Sequence, residues 1–114
     1  MNSFLRRFGI AAIAAAGFFS VEAIAGDVAK GKTAYIKTGC YQCHGFVGQG
    51  GAGTKLAPNP MPYEAFVNYV RTTNRAMPPY SEQILSNDEL ADIYSYVESI
   101  PASPDYKSIP LLNQ

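Results

Sequence analysis

Apolar side chains recur at helical spacing in three stretches of this chain. The longest is Leu90, Ile93, Tyr94, Val97 and Ile100, which lie at i, i+3, i+4, i+7 and i+10 and line one helix face. Ser86-Asn87-Asp88-Glu89 precedes them as a capping box, with acidic side chains at the positive end of the helix dipole. Pro101 ends the run. In a second stretch Tyr63, Phe66, Val67 and Val70 share a face, with Pro62 as the expected first helical residue and Thr72-Thr73-Asn74 as the fading end. The first stretch covers 26–39. Asp27 is its expected N-cap, Val28, Tyr35 and Ile36 recur along it, and Gly39 closes it. Gly31 inside that helix costs about 1 kcal/mol against Ala. It is either a tolerated glycine or a site of close helix approach. Strand patterning is scarce, so the chain reads as all-α.

The segments between these runs are irregular. Gly45, Gly48, Gly50, Gly51 and Gly53 mark a loop. No GK[ST] follows in register, so it is not a phosphate loop. Pro58, Pro60 and Pro62 keep 55–62 extended, and Ala76-Met77-Pro78-Pro79-Tyr80 is extended again. One short turn is expected over Ser81 to Leu85. Beyond Pro101 the chain is a proline-containing tail, expected to pack around the domain rather than to serve in docking.

The N-terminal stretch reads differently. Arg6 and Arg7 precede a small apolar run from Gly9 to Phe19, and Ala23-Ile24-Ala25 fits an A-x-A cleavage site. That is the pattern of a cleaved secretory signal peptide over 1–25, leaving a single domain at 26–114 in the periplasm. The apolar run is shorter than the roughly 20 residues of a membrane span, and Glu22 interrupts it. Residues 26–114 carry seven basic and eight acidic side chains, a net charge of −1. Nothing in that balance suggests DNA or any other nucleic acid as a partner. Tyr is frequent at eight residues; it suits the wall of a cofactor pocket, with an apolar body and one polar tip.

The candidate chemistry sits in Cys40-Tyr41-Gln42-Cys43-His44, which holds both cysteines and the one histidine of the chain. This C-x-x-C-H spacing is that of c-type haem attachment. Two thiols three positions apart lie on one side of a helical turn, where they can add to the two vinyl groups of one haem. His44 follows as the proximal iron ligand. A zinc site needs about four ligands, and the chain lacks them. A thioredoxin-like motif needs a βαβ setting. A disulfide across two residues would be strained and close almost no loop. With no second histidine, the far axial position falls to Met77 or Met61. Met77 is preferred, because it follows a helix that could line the haem, whereas Met61 lies in the segment needed to wrap the proximal side.

Together these features resemble the small class I cytochromes c across nearly all of residues 26–114. Gly26-Asp27-Val28 through Gly31 and Tyr35 is similar to their N-terminal helix, and Ala76-Met77-Pro78-Pro79 to their axial-methionine loop. Leu85-Ser86 through Tyr96-Val97-Glu98-Ser99-Ile100 is similar to their C-terminal helix. The resemblance implies a cytochrome c fold of three to four helices around one covalent haem c. Its first and last helices would cross, with Gly31 and Tyr35 meeting Ile93, Tyr96 and Val97. It also implies that a proline carbonyl accepts from His44 Nδ1, with Pro58 the best match and Pro60 the rival. Arg71 would approach the haem propionates; Tyr63, Arg75 and Tyr80 are weaker candidates. Thr73-Asn74 replaces a glycine common in relatives, and Asn74 could supply the left-handed backbone.

The function these features imply is one-electron transport without catalysis of its own. Cys40 and Cys43 would tether the haem, and His44 and Met77 would be its axial ligands. The expected partners are periplasmic redox proteins, a dehydrogenase or an oxidase, with this chain either a free carrier or a fixed subunit. Contact with a membrane would come only through such a partner. The alternative is a haem protein with an open or labile sixth site, acting in small-ligand binding or peroxide chemistry. No distal histidine is present to support that chemistry.

Overall fold

The computed structural model describes residues 26–113; the signal-peptide reading of 1–25 lies outside the described residues. Four α-helices follow one another: α1 (Val28–Lys37), α2 (Cys40–His44), α3 (Tyr63–Thr72) and α4 (Asn87–Ser99). Two short 3₁₀ turns, Tyr106–Ser108 and Pro110–Leu112, close the chain. Among the described residues there is no strand, as the sequence pattern leads one to expect. None of the described helices is long and apolar enough to cross a membrane.

The helix ends follow from local chemistry. The Asp27 carboxylate accepts from the N–H groups of Ala29 and Lys30 at 2.9 and 3.0 Å. Those are two of the donors a helix start leaves unpaired. At α4 the Ser86 hydroxyl accepts from Glu89 N–H at 3.2 Å, and the Glu89 carboxylate accepts from Ser86 N–H at 3.1 Å, closing the capping box reciprocally. Pro62 is the N-cap of α3 rather than its first helical residue. Its carbonyl takes the first bond of the helix, from Phe66 N–H at 3.0 Å. The backbone at Asn74 is not left-handed; among the described residues, the non-glycine residue with positive φ is Asn59, at +62°.

α1 and α4 cross, and Gly31 sets how closely. A Cβ built on Gly31 would overlap the Asp92 carbonyl and lie 3.0 Å from Ile93 N. Any larger residue would therefore force the backbones apart. Beside the crossing, the Tyr35 and Tyr96 rings meet edge to face at 5.5 Å. Asp27 N–H donates to the Asp92 carboxylate at 2.6 Å, and Gly26 N–H to the Ser95 hydroxyl at 3.0 Å. These bonds fix the start of α1 on α4. The contact is the one implied for Gly31, Tyr35, Ile93 and Tyr96.

The most deeply buried side chains are Tyr35, Leu85, Leu90, Ile93 and Val97. Each aliphatic one contributes about 1.5–3 kcal/mol on burial. Phe66 and Val70 reach this core from α3. The tail departs from expectation. From Pro101 to Asn113 every residue but Ile109 is exposed, with Leu111 at 78% and Leu112 at 62%. Its hydrogen bonds are local: the Asn113 side-chain amide donates to the carbonyls of Tyr106, Lys107 and Ile109. Prolines at 101, 104 and 110 keep the segment from extending α4 back over the core.

Candidate functional site

Residues of α2, α3, the 73–80 segment and the glycine loop surround two adjoining cavities. One is about 220 Å³ and the other about 320 Å³. Both are lined by Cys40, His44, Thr54, Tyr69, Met77 and Tyr80. The first continues inward to the core residues Phe66, Val70, Leu85, Leu90 and Ile93, so one apolar cleft runs from the surface to the crossing helices.

α2 is a single short helix between two glycines of positive φ, Gly39 in the left-handed conformation and Gly45 with extended ψ. It places Cys40 partly buried at the cleft and Cys43 exposed at its rim. Burial raises the Cys40 thiol above its usual pKa, against a smaller lowering from the Thr38 hydroxyl at 3.3 Å. The glycine loop then folds back on α2: Gly53 N–H donates to the Cys43 carbonyl at 2.7 Å, and Gly50 N–H to that of His44 at 2.8 Å. This return brings the loop backbone against the imidazole. A Cβ on Gly53 would lie 2.9 Å from His44 Cε1 and 3.0 Å from Nδ1.

His44 Nδ1 stands 2.7 Å from the carbonyl oxygen of Thr54. A carbonyl only accepts, so Nδ1 carries the proton and the lone pair is left on Nε2. That is the tautomer a metal-ligating histidine needs, and the hydrogen bond orients the ring. The acceptor is not Pro58. The Gly48 carbonyl accepts from both Leu56 and Ala57 N–H, at 2.8 and 3.0 Å. The chain turns there, and Pro58 lies beyond the turn. Every residue owns a carbonyl, so a proline in the sequence could not locate this one.

Arg71 also departs from expectation. One guanidinium nitrogen donates to the carbonyls of Tyr80 and Leu85, at 2.9 and 2.8 Å, and the other to the Asn87 side chain at 2.8 Å. It braces the end of α3 against the segment leading into α4 and does not line the cleft. Arg75 lines the outer cavity instead, two residues before Met77. The Tyr63 ring packs on Tyr94 at 5.1 Å rather than at the cleft. Met77 is partly buried and lines both cavities; Met61 is 44% exposed and lines only the inner one.

Several residues of the site carry no side-chain signal in the sequence. Thr54 and Gly53 act through backbone position. Tyr69 lines both cavities; one turn after Phe66 on an otherwise apolar face, its spacing could have flagged it. Tyrosine hydroxyls tie the walls together as well as lining them. Tyr35 donates to the Gly45 carbonyl at 2.8 Å, Tyr96 to Phe46 at 2.8 Å and Tyr80 to Thr38 at 2.9 Å. All three acceptors lie within two residues of α2.

These residues fit a haem on the chain's own chemistry. Two cysteines lie at the mouth of an apolar cleft, with a histidine of fixed tautomer and a thioether side chain within it. Comparison with known proteins agrees. Residues 26–97 match the family model described as cytochrome c oxidase, cbb3-type, subunit III. The chain is similar to the cytochrome bc1 complex cytochrome c subunit of Corynebacterium diphtheriae, 35% identical over 82 residues, covering 68% of this chain and 29% of that protein. It is similar in the same way to that of Corynebacterium efficiens, 33% identical, covering 68% and 27%. The chain thus spans less than a third of the length of these relatives. No solved structure matches it. The chain belongs to the family of the cbb3-type cytochrome c oxidase subunit III, as a c-type cytochrome with covalently bound haem c.

Proposed function

We propose that residues 1–25 direct export and are removed, and that 26–114 works as a small soluble class I cytochrome c in the periplasm. The convergence of Cys40, His44 and Met77 on one apolar cleft carries this reading. Cys40 and Cys43 would hold the haem by two thioethers, and His44, through Nε2, and Met77 would be the ligands offered to its iron. When bound, the haem supplies reversible one-electron chemistry. A thioether ligand raises the potential relative to a second imidazole, and a filled coordination shell leaves no position for substrate.

The chain's own residues do the rest. The Thr54 carbonyl keeps His44 protonated on Nδ1. Leu90, Ile93 and Phe66 keep water from the inner cleft. On and just after α2, Tyr41 and Phe46 stack at 4.7 Å, and Phe46 and Val47 are exposed. They offer an apolar face, close in sequence to Cys43, for brief contact with a redox partner. The net charge of −1 gives such encounters little electrostatic steering. The relatives named as subunits of the bc1 complex make a membrane respiratory complex a natural partner, alongside the periplasmic dehydrogenases and oxidases.

A redox titration of the purified holoprotein tests this. A single reversible one-electron wave, together with reduction by respiring membranes of the source organism, is the expected result. Rapid binding of carbon monoxide or turnover of peroxide would instead favour an open iron site.

A further inference from the structure

The segment that carries Met77 is held mainly through Tyr80. Its N–H donates to the Val70 carbonyl at 3.0 Å, and its own carbonyl accepts from Arg71 at 2.9 Å. Those two bonds fasten the segment to α3. The third runs elsewhere: the Tyr80 hydroxyl donates to the carbonyl of Thr38 at 2.9 Å, across 42 positions of sequence. Thr38 is the C-cap of α1, two residues before Cys40. The Tyr80 side chain lines both cavities, as do Cys40 and Met77. Its hydroxyl therefore joins the methionine side of the cleft to the cysteine side. Residues 74–79 between the two anchors are exposed apart from Met77 itself.

We propose that the Tyr80 hydroxyl is a latch that keeps Met77 at the iron, making Tyr80 a positioning residue for the sixth ligand. This rests on the His44/Met77 reading above. Without the latch, the segment stays fastened to α3 but is free to swing from α2. Met77 then leaves the iron more often, and external ligands enter more easily. Met61 offers an internal comparison. Its carbonyl accepts from the Tyr94 hydroxyl at 3.2 Å, so a second tyrosine ties down the other methionine segment by the same kind of bond.

The test is imidazole binding to the ferric holoprotein, followed in the Soret region and in the long-wavelength methionine band. Three proteins are compared: wild type, Tyr80→Phe and Tyr94→Phe. Each variant keeps its ring and loses one hydroxyl. Loss of one net hydrogen bond is expected to tighten imidazole binding about fivefold in Tyr80→Phe. Tyr94→Phe should stay within about twofold of wild type, because its bond holds the wrong methionine. Urea midpoints of both variants check that the two have lost similar global stability. Unchanged imidazole affinity in Tyr80→Phe would overturn the latch, and so would an equal gain in Tyr94→Phe, which would indicate general softening. A wild-type protein that has no methionine band overturns the ligation reading, and the latch with it.

Discussion

The imidazole of His44 and the carbonyl of Thr54 are joined by a 2.7 Å contact that decides which ring nitrogen is free. Gly53 makes the contact possible by leaving room for the ring. Gly53→Ala would set a methyl group 2.9–3.0 Å from the imidazole. We expect the ring to be pushed out of line, with an altered reduction potential and a stability loss of about 1–3 kcal/mol. Potentiometry and urea unfolding of the variant holoprotein measure both.

Gly31 is the second glycine on which the structure turns. Replacing it by Ala drives a methyl group into the Asp92 carbonyl, which is backbone and cannot swing aside. Separating α1 from α4 would also loosen the Tyr35–Tyr96 contact. A loss of about 3 kcal/mol or a failure to fold is expected, at the upper end of overpacking costs. The same change at exposed Gly51, whose Cβ would lie 3.1 Å from the Cys43 carbonyl, should be much milder. Urea midpoints of the two variants give the comparison.

The two arginines of the 71–75 segment should behave differently. Arg71→Leu strips the carbonyls of Tyr80 and Leu85 of a donor and is expected to lower stability by about 2–3 kcal/mol. Arg75→Gln removes an exposed charge at the outer cavity and should leave stability within about 0.5 kcal/mol. Its effect should appear in the potential, since a nearby cation favours the electron-rich iron. Equal stability losses in the two variants would contradict this division.

The fold was legible where side chains repeat and obscure where backbone decides. The i, i+3, i+4 spacing of Leu90, Ile93, Tyr94 and Val97 locates α4, and Ser86 with Glu89 locates its start, because both signals belong to side chains. Cys40, Cys43 and His44 carry their signal in the same way: their spacing is their chemistry. Thr54 was not, because its contribution is a carbonyl placed by turns at Gly48 and Gly53. Arg71 was misread because a guanidinium near a cleft has many acceptors in reach. Carbonyls at Tyr80 and Leu85, distant in sequence, claim it first. The tail was expected to pack on the domain, and its prolines carry it away instead.

The central claim is that Met77, and not Met61, completes the iron coordination opposite His44. The most direct measurement is the long-wavelength absorption band of the ferric holoprotein, which reports methionine–iron ligation, in wild type, Met77→Ala and Met61→Ala. The account predicts a band in wild type, its survival in Met61→Ala and its loss in Met77→Ala, with new high-spin features there. A band that persists in Met77→Ala, or is absent from wild type at neutral pH, would contradict it.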